Sequence, residues 1–348
     1  MSLSIGVDVG GTTSTICLGN EKREVLCVSD QFATRSNDGP DATIDDIVTQ
    51  INKMLDEIGE SLESVAKVSL GTPGPSTLDG VLLSTPNLNA ELWDNCPIRQ
   101  KLQDKLQDTI ASLEVSYIGD GQAAALGEYA IRSGKVTWSE VDAAPDRNLE
   151  SLFMVAVGTG FGGGEVRRGQ VVRGMEGRAG HAGHILLPAE AFRYEHDRQL
   201  KVGNSFCTVE SAISLTALTH QLPYRLLLTE WSDHPLHQVS GAPKDKAKRL
   251  RELAADGDAL AQQLFDDQAR ALGMALLSIN YIGDYDLLVI GGGVCDLSQE
   301  LRDRYLRTAE QTYRSYALNG FRNFQGVVFS VCGDHASVIG ALANAYDD

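Results

Sequence analysis

No Cys-x-x-Cys occurs in this chain of 348 residues, and its six cysteines (17, 27, 96, 207, 295 and 332) are widely spaced. Cys17, Cys27 and Cys332 sit in apolar, strand-like runs, which reads as buried reduced thiols. Positive charge is also short: 30 Lys and Arg face 47 Asp and Glu, a net charge of −17. That balance argues against a nucleic-acid partner or an anionic membrane surface, while leaving room for a local basic nucleotide site. No uninterrupted apolar run approaches the roughly 20 residues of a membrane span. Residues 1–9 lack a basic start and run directly into a strand, so no signal peptide is expected and the expected location is the cytoplasm. Low-complexity tracts and short-period repeats are missing. What remains is an ordinary globular composition, 43% apolar and 22% charged, long enough for two domains and a substantial core.

Glycine is plentiful and placed with purpose. Residues 5–13 read Ile-Gly-Val-Asp-Val-Gly-Gly-Thr-Thr, and residues 153–164 read Phe-Met-Val-Ala-Val-Gly-Thr-Gly-Phe-Gly-Gly-Gly. Each is an apolar run that breaks into glycine and threonine and then resumes strand-like sequence, at Ser14–Leu18 and at Glu165–Val172. The implied structure is a hairpin whose tip exposes backbone N–H groups and a hydroxyl, able to hold phosphate oxygens. Neither tip ends in Gly-Lys-Ser/Thr and neither opens a helix, which excludes a P-loop and a dinucleotide fingerprint. A single tip reads as well as a tight turn. Two of them, half a chain apart and the first following an in-strand Asp8, point to two similar lobes gripping one nucleotide and to phosphoryl transfer.

The remaining pattern alternates in the α/β manner. Strands are predicted at Leu3–Val9, Thr15–Leu18, Glu24–Val28, Ala66–Leu70, Val115–Ile118, Leu287–Ile290 and Val327–Val331. A helix is predicted to open near Thr43, with Asp46 completing a capping box and Ile44, Ile47, Ile51, Met54, Leu55 and Ile58 forming its buried face. Further helices are predicted at about 97–108, at Gln122–Arg132, along the face Leu264 to Ile279, and at Ala336–Ala345. Residues 136–150, 187–205 and 223–248 show no clear period.

Taken in order, several short motifs resemble the ROK family (repressors, open-reading-frame proteins and sugar kinases) of the actin–hexokinase–Hsp70 superfamily. The motifs are Asp8–Thr13, Gly71–Pro75, Pro86–Leu88 with Trp93, Asp120 with Ala123–Glu128, Val157–Gly164, Ala179-Gly180 and Gly183-His184, Glu210 with Ser214, Gly291–Gly293, and Gly333–Ala341. The resemblance covers nearly the whole chain. It implies a two-lobed α/β, actin-like ATPase (ribonuclease H-like) fold, each lobe a mixed sheet flanked by helices. The lobes would be a small one over 1–118, with helix 335–348 packing back on it, and a large one over 119–334.

The resemblance also implies an ATP-dependent kinase acting on a hydroxyl of a hexose or hexose derivative, with Mg2+ and a possible homodimer. Polyphosphate is the alternative donor. Transfer to an alcohol needs a base at the hydroxyl, and Asp120, at a strand end before a helix, matches that position. Its other reading is a cap for the following helix. Asp8 would hold Mg2+ through water, or else satisfy a turn. Gly10, Gly11, Thr12, Thr13, Gly158, Thr159 and Gly160 would meet phosphates, and Gly292 and Gly293 the adenosine side, or form a close strand-to-helix crossover. Gly74, Asn87, Gly119, His181, His184 and Glu210 fall at sugar-pocket positions, with Glu210 alternatively an exposed first-turn residue.

Three departures from the family pattern stand out. Gly119 replaces an Asn and His181 an acid, both in the sugar pocket, so a glucose preference does not carry over. A differently substituted or acidic sugar is expected. Between 184 and 215 only Cys207 remains of the family's zinc-binding cysteines, so no structural zinc is expected. The rival reading is a non-catalytic sugar-binding regulator without a DNA-binding domain, because family repressors carry an N-terminal helix-turn-helix that this chain does not show. ATP consumption across a sugar screen separates the two.

Overall fold

The computed structural model describes residues 2–85, 87–322 and 326–347; of the expected motifs, Pro86 and the last residue of the C-terminal helix, Asp348, lie outside them. The strands are β1 (Leu3–Val9), β2 (Thr13–Asn20), β3 (Val25–Val28), β4 (Phe32–Ala33), β5 (Val65–Thr72), β6 (Val115–Gly119), β7 (Ser151–Val157), β8 (Phe161–Arg167), β9 (Gln170–Val171), β10 (Lys201–Val202), β11 (Ser205–Phe206), β12 (Leu287–Gly291) and β13 (Val327–Phe329). The helices are α1 (Pro40–Glu57), α2 (Ala90–Trp93), α3 (Ile98–Gln107), α4 (Asp120–Ser133), α5 (Val209–Ala212), α6 (Leu215–Leu226), α7 (Pro243–Lys248), α8 (Leu250–Ala255), α9 (Ala259–Gly283), α10 (Gln299–Tyr316) and α11 (Ala336–Asp347). None among the described residues is long and apolar enough to cross a membrane.

The chain divides into two compact units, one of residues 1–154, 164–180 and 330–348, the other of residues 155–163 and 181–329. In the first, the sheet order is β3-β2-β1-β5-β6, with β4 beside β2. β1 and β2 form the expected antiparallel hairpin, whereas β1, β5 and β6 run parallel. Alternation along β1 explains its two faces. Leu3, Ile5, Val7 and Val9 join Ile44, Ile47 and Ile51 of α1 in one core. On the opposite face Gly6 lets α11 lie against the strand: a Cβ there would stand 2.5 Å from the Val338 carbonyl oxygen.

Helix α11 also packs on α4 at two facing glycines. A side chain at Gly340 would run into the Ala123 carbonyl, and one at Gly127 into the Ala336 carbonyl. Asn344 ties α11 to the sheet as well, donating to the hydroxyls of Ser69 in β5 and Ser116 in β6 at 2.9 and 3.1 Å. The second sheet has the order β13-β12-β7-β8-β9, and the division between units passes through β7 and β8. In the second unit α9 buries Leu264, Phe265, Ala269, Leu272, Ala275, Leu276 and Ile279, the face predicted from their spacing.

Several boundaries differ from expectation for identifiable reasons. Helix α1 starts at Pro40, because proline at the first helical position has its φ preset and its missing N–H is not needed there. Thr43 therefore lies a turn inside, where its hydroxyl donates to the Thr34 carbonyl, and Asp46 pairs with Arg35 at 3.3 Å, so the expected capping box is not formed. Ile58 follows the helix end and is exposed. Strand β13 stops at Phe329 because the next residues turn onto Glu128, whose buried carboxylate accepts the Ser330 hydroxyl at 2.7 Å and the Val331 N–H at 3.0 Å. Residues 223–248, without visible period, hold the end of α6, which continues through Pro223, and then α7.

The glycine contact between α4 and α11 is testable. Gly340→Val should destabilise the protein by about 1–3 kcal/mol in urea unfolding, as overpacking does. Gly320→Val, at a glycine with nothing within 4 Å of its Cβ position, should change stability by much less.

Candidate active site

Parallel register brings three strand ends to one edge of the first unit's sheet. Asp8 pairs with Gly71, Gly71 with Ile118, and Thr72 with Gly119, so Asp8 and the β6–α4 turn that holds Asp120 end side by side. This is the edge at which open parallel sheets bind ligands. Asp8 is only partly buried, yet crowding by protein atoms, and secondarily the Asp120 charge, pushes its carboxyl up to about 7. Its carboxylate has no hydrogen-bond or ion-pair partner among the described residues. Asp120 is pushed up to about 6 by the same crowding, partly offset by the Gly121 N–H that it accepts at 2.6 Å. Its outer surface remains exposed, and a carboxyl at about 6 is mostly ionised at neutral pH. Asp120 is thus the first residue of α4 and bonds locally to its N-terminus, which leaves one carboxylate oxygen open.

The tip between β1 and β2 divides its polar groups. The carbonyls turn inward: Gly10 accepts from the Thr34 hydroxyl at 2.9 Å, Thr12 from the Thr34 N–H at 2.9 Å, and Thr13 from the Gly10 N–H at 2.8 Å. The N–H groups of Gly11 and Thr12 donate to no protein acceptor among the described residues, which is the polarity an anion needs. Asn87 closes on this tip so tightly that a Cβ at Gly11 would lie 2.7 Å from its carbonyl oxygen. Gly74, at φ 89°, turns the chain after β5.

The tip between β7 and β8 is organised the same way within the second unit. The first residues of α6 hold its carbonyls: Leu215 N–H donates to Gly158 at 2.9 Å, and the Thr216 hydroxyl to Thr159 at 2.8 Å. The N–H groups of Thr159 and Gly160 donate to no protein acceptor among the described residues. Glu210, in the short helix α5, accepts the Phe161 N–H at 2.8 Å and lies against Gly160, so it braces the tip. Next to this tip a cavity of about 360 Å3 is lined by Val157, Leu215, Leu218, Phe265 and Val294, with Gln268, Lys248 and Arg251 as polar groups. Gly292 permits its wall, since at φ 78° a Cβ would stand 2.6 Å from the Val157 carbonyl oxygen.

His181 and His184 are exposed, with ring centroids 6.4 Å apart. Residues 185–187 lie along 207–209, where Val209 N–H donates to Ile185 at 2.9 Å. No group of three or more His, Cys, Asp or Glu that could hold a metal exists among the described residues, so the residues present do not fit a structural zinc. The irregular 188–208 stretch is instead tied down by charge. Arg225, fully buried, forks onto Asp197 at 3.0 and 2.7 Å, and its guanidinium lies 4.1 Å from the Tyr194 ring centre. Nothing in the sequence pointed to Thr34, Thr216 or Arg225 as supports of the site, because each acts through tertiary contacts.

The model of the ROK family matches residues 4–347. The chain belongs to the ROK family. It is 28% identical over 344 residues to a glucokinase of Halalkalibacterium halodurans, covering 97% of this chain and 92% of that protein. Among solved ROK structures, the glucokinase of Streptomyces griseus in complex with glucose and AMPPNP superposes with a TM-score of 0.74 at 24% identity, covering all of both chains. The ROK hexokinase of Thermus thermophilus superposes at 0.72 with 25% identity, covering 99% of this chain and 98% of that one. The two-lobed, actin-like α/β fold of the family is therefore the fold of this chain.

The raised carboxyl of Asp8 carries a stability cost with a definite sign. Below about pH 4 Asp8 is protonated in both folded and unfolded chains; as pH rises towards 7 the unfolded chain ionises first, and folding loses stability. Asp8→Asn removes this loss. The variant should gain about 1 kcal/mol or more over the unmodified protein between pH 5 and pH 8 in urea unfolding.

Proposed function

We propose that this ROK protein is an ATP-dependent carbohydrate kinase that transfers the γ-phosphoryl group to a hydroxyl of a hexose or hexose derivative. The observation that carries the reading is Asp120, a carboxylate poised near neutrality at the parallel-strand edge, beside a tip whose unpaired N–H groups face outward. A base with that proton affinity can take the hydroxyl proton as the oxygen attacks phosphorus. Gly11, Thr12, Thr159 and Gly160 supply N–H donors for phosphate oxygens, with Gly10, Thr13 and Gly158 shaping the two tips. The apolar cavity beside Gly158, whose wall includes Val294 directly after Gly292 and Gly293, accommodates adenine, which favours ATP over polyphosphate as donor.

Asp8 fits a water-mediated magnesium site, since it is an unpaired carboxylate crowded by a second one. Magnesium, when bound, neutralises phosphate charge. Asn87, His181, His184 and Glu210 supply polar groups for sugar hydroxyls, with Gly74 and Gly119 leaving space. Six free thiols suit a reducing compartment such as the cytoplasm.

Asp120→Asn should lower kcat by about 100-fold or more while leaving the affinities for ATP and sugar within a few-fold. The pH profile gives an independent check. The unmodified enzyme needs Asp120 ionised, so its kcat/KM should rise through about pH 6 and then level. The residual activity of the Asn variant should lack that rise. A variant with near-normal turnover removes Asp120 from the role of base.

A further inference from the structure

Gln122 is 5% exposed and sits in the first turn of α4, three residues after Gly119. Its amide nitrogen donates to two carbonyls, Gly177 and Ala179, both at 3.1 Å. Two carbonyl acceptors consume both N–H bonds, and this fixes which end of the amide is oxygen. Oε1 therefore points the other way, towards residue 119, where it stands 3.8 Å from the position a Cβ would take. Oε1 has no hydrogen-bond partner among the described residues. The residue is nearly buried but this oxygen reaches solvent, so water meets its need in the free protein and a ligand hydroxyl can take the water's place at an acceptor already fixed in direction. Gly119 keeps the space in front of it open, and Asp120 is the next residue along the chain.

We infer that Gln122 is a specificity-determining sugar ligand whose Oε1 accepts a hydrogen bond from a hydroxyl adjacent to the one that is phosphorylated. The inference rests on the sugar-kinase reading above. Asp120 and Gln122 Oε1 are both acceptors, so the substrate must present two neighbouring donors. A sugar with a free vicinal diol meets that demand; one lacking the second hydroxyl covers Oε1 without replacing the water it displaces. Locked orientation also matters: Gln122 cannot rotate to offer its NH2 without giving up both backbone carbonyls.

The test pairs ligand and protein changes. Glucose, mannose, N-acetylglucosamine and N-acetylmannosamine are titrated calorimetrically, and monodeoxy forms of the tightest binder follow, against the unmodified protein and Gln122→Met. One deoxy position should weaken binding by about 5-fold or more in the unmodified protein, and by less than about 2-fold in the variant, a coupling that a purely structural role does not produce. Equal losses in both proteins overturn the assignment. If Gln122→Met does not fold, Gly119→Asn replaces it, since a Cβ there meets nothing nearer than 3.8 Å. The added amide should shift the deoxy profile at that same position, and an unchanged profile overturns the inference. ADP release in a parallel assay separates the two readings: binding with the expected coupling but no ADP removes the kinase and leaves the ligand role of Gln122 standing.

Discussion

Two carboxylates crowded at the end of parallel strands impose the main constraint on this molecule. Asp8 lies near the end of β1 and Asp120 follows β6, and the register of β1, β5 and β6 leaves them at one edge, where the Asp120 charge helps to raise the Asp8 carboxyl. A protein built only for stability would pair or remove such charges. Here the pair is retained, and the strand core beneath it, with α1 on one face and α11 on the other, holds the edge in place. The cost in stability comes first from burial of the Asp8 carboxyl and second from the Asp120 charge beside it.

The two glycine tips solve a related problem with backbone alone. Carbonyl oxygens repel phosphate, so a tip that binds anions must turn them away. In both tips a threonine outside the turn does this: Thr34 holds Gly10 and Thr12, and Thr216 holds Thr159. The exposed N–H groups are then a by-product of satisfied carbonyls. Glycine is needed because neighbours close in from the side, Asn87 at Gly11 and Glu210 at Gly160. The same contact gives Glu210 a bracing role that its place in a first helical turn does not reveal.

Legibility in the sequence follows the range of each interaction. The hairpins, the strand–Asp120–helix junction and the face of α9 are local patterns of period two or 3.6, and they were readable directly. The start of α1 was misplaced because Thr43 bonds to Thr34, nine residues away, in preference to capping its own helix. The end of β13 was overrun because Glu128, some two hundred residues earlier in the chain, pulls Ser330 to Cys332 off the strand path. The 188–208 stretch carries no periodic signal, since its order comes from one buried arginine.

That arginine shows how buried charge fixes an irregular loop. Asp197 and Arg225 are both buried and doubly bonded, and Asp267 lies 3.5 Å from the same guanidinium while pairing with Arg193 at 2.7 Å. Buried ion pairs repay their desolvation only when the geometry is bidentate and further partners share the charge, and both conditions hold here. The stretch they anchor ends at Cys207, whose thiol reaches the Arg198 carbonyl at 3.9 Å, and at Thr208, which caps the helix bearing Glu210. Geometry therefore passes from Arg225 through Asp197 to Glu210 and on to the Phe161 N–H by directional bonds. The Arg225 fork thus supports the Glu210 side of the second unit through bonds fixed in direction.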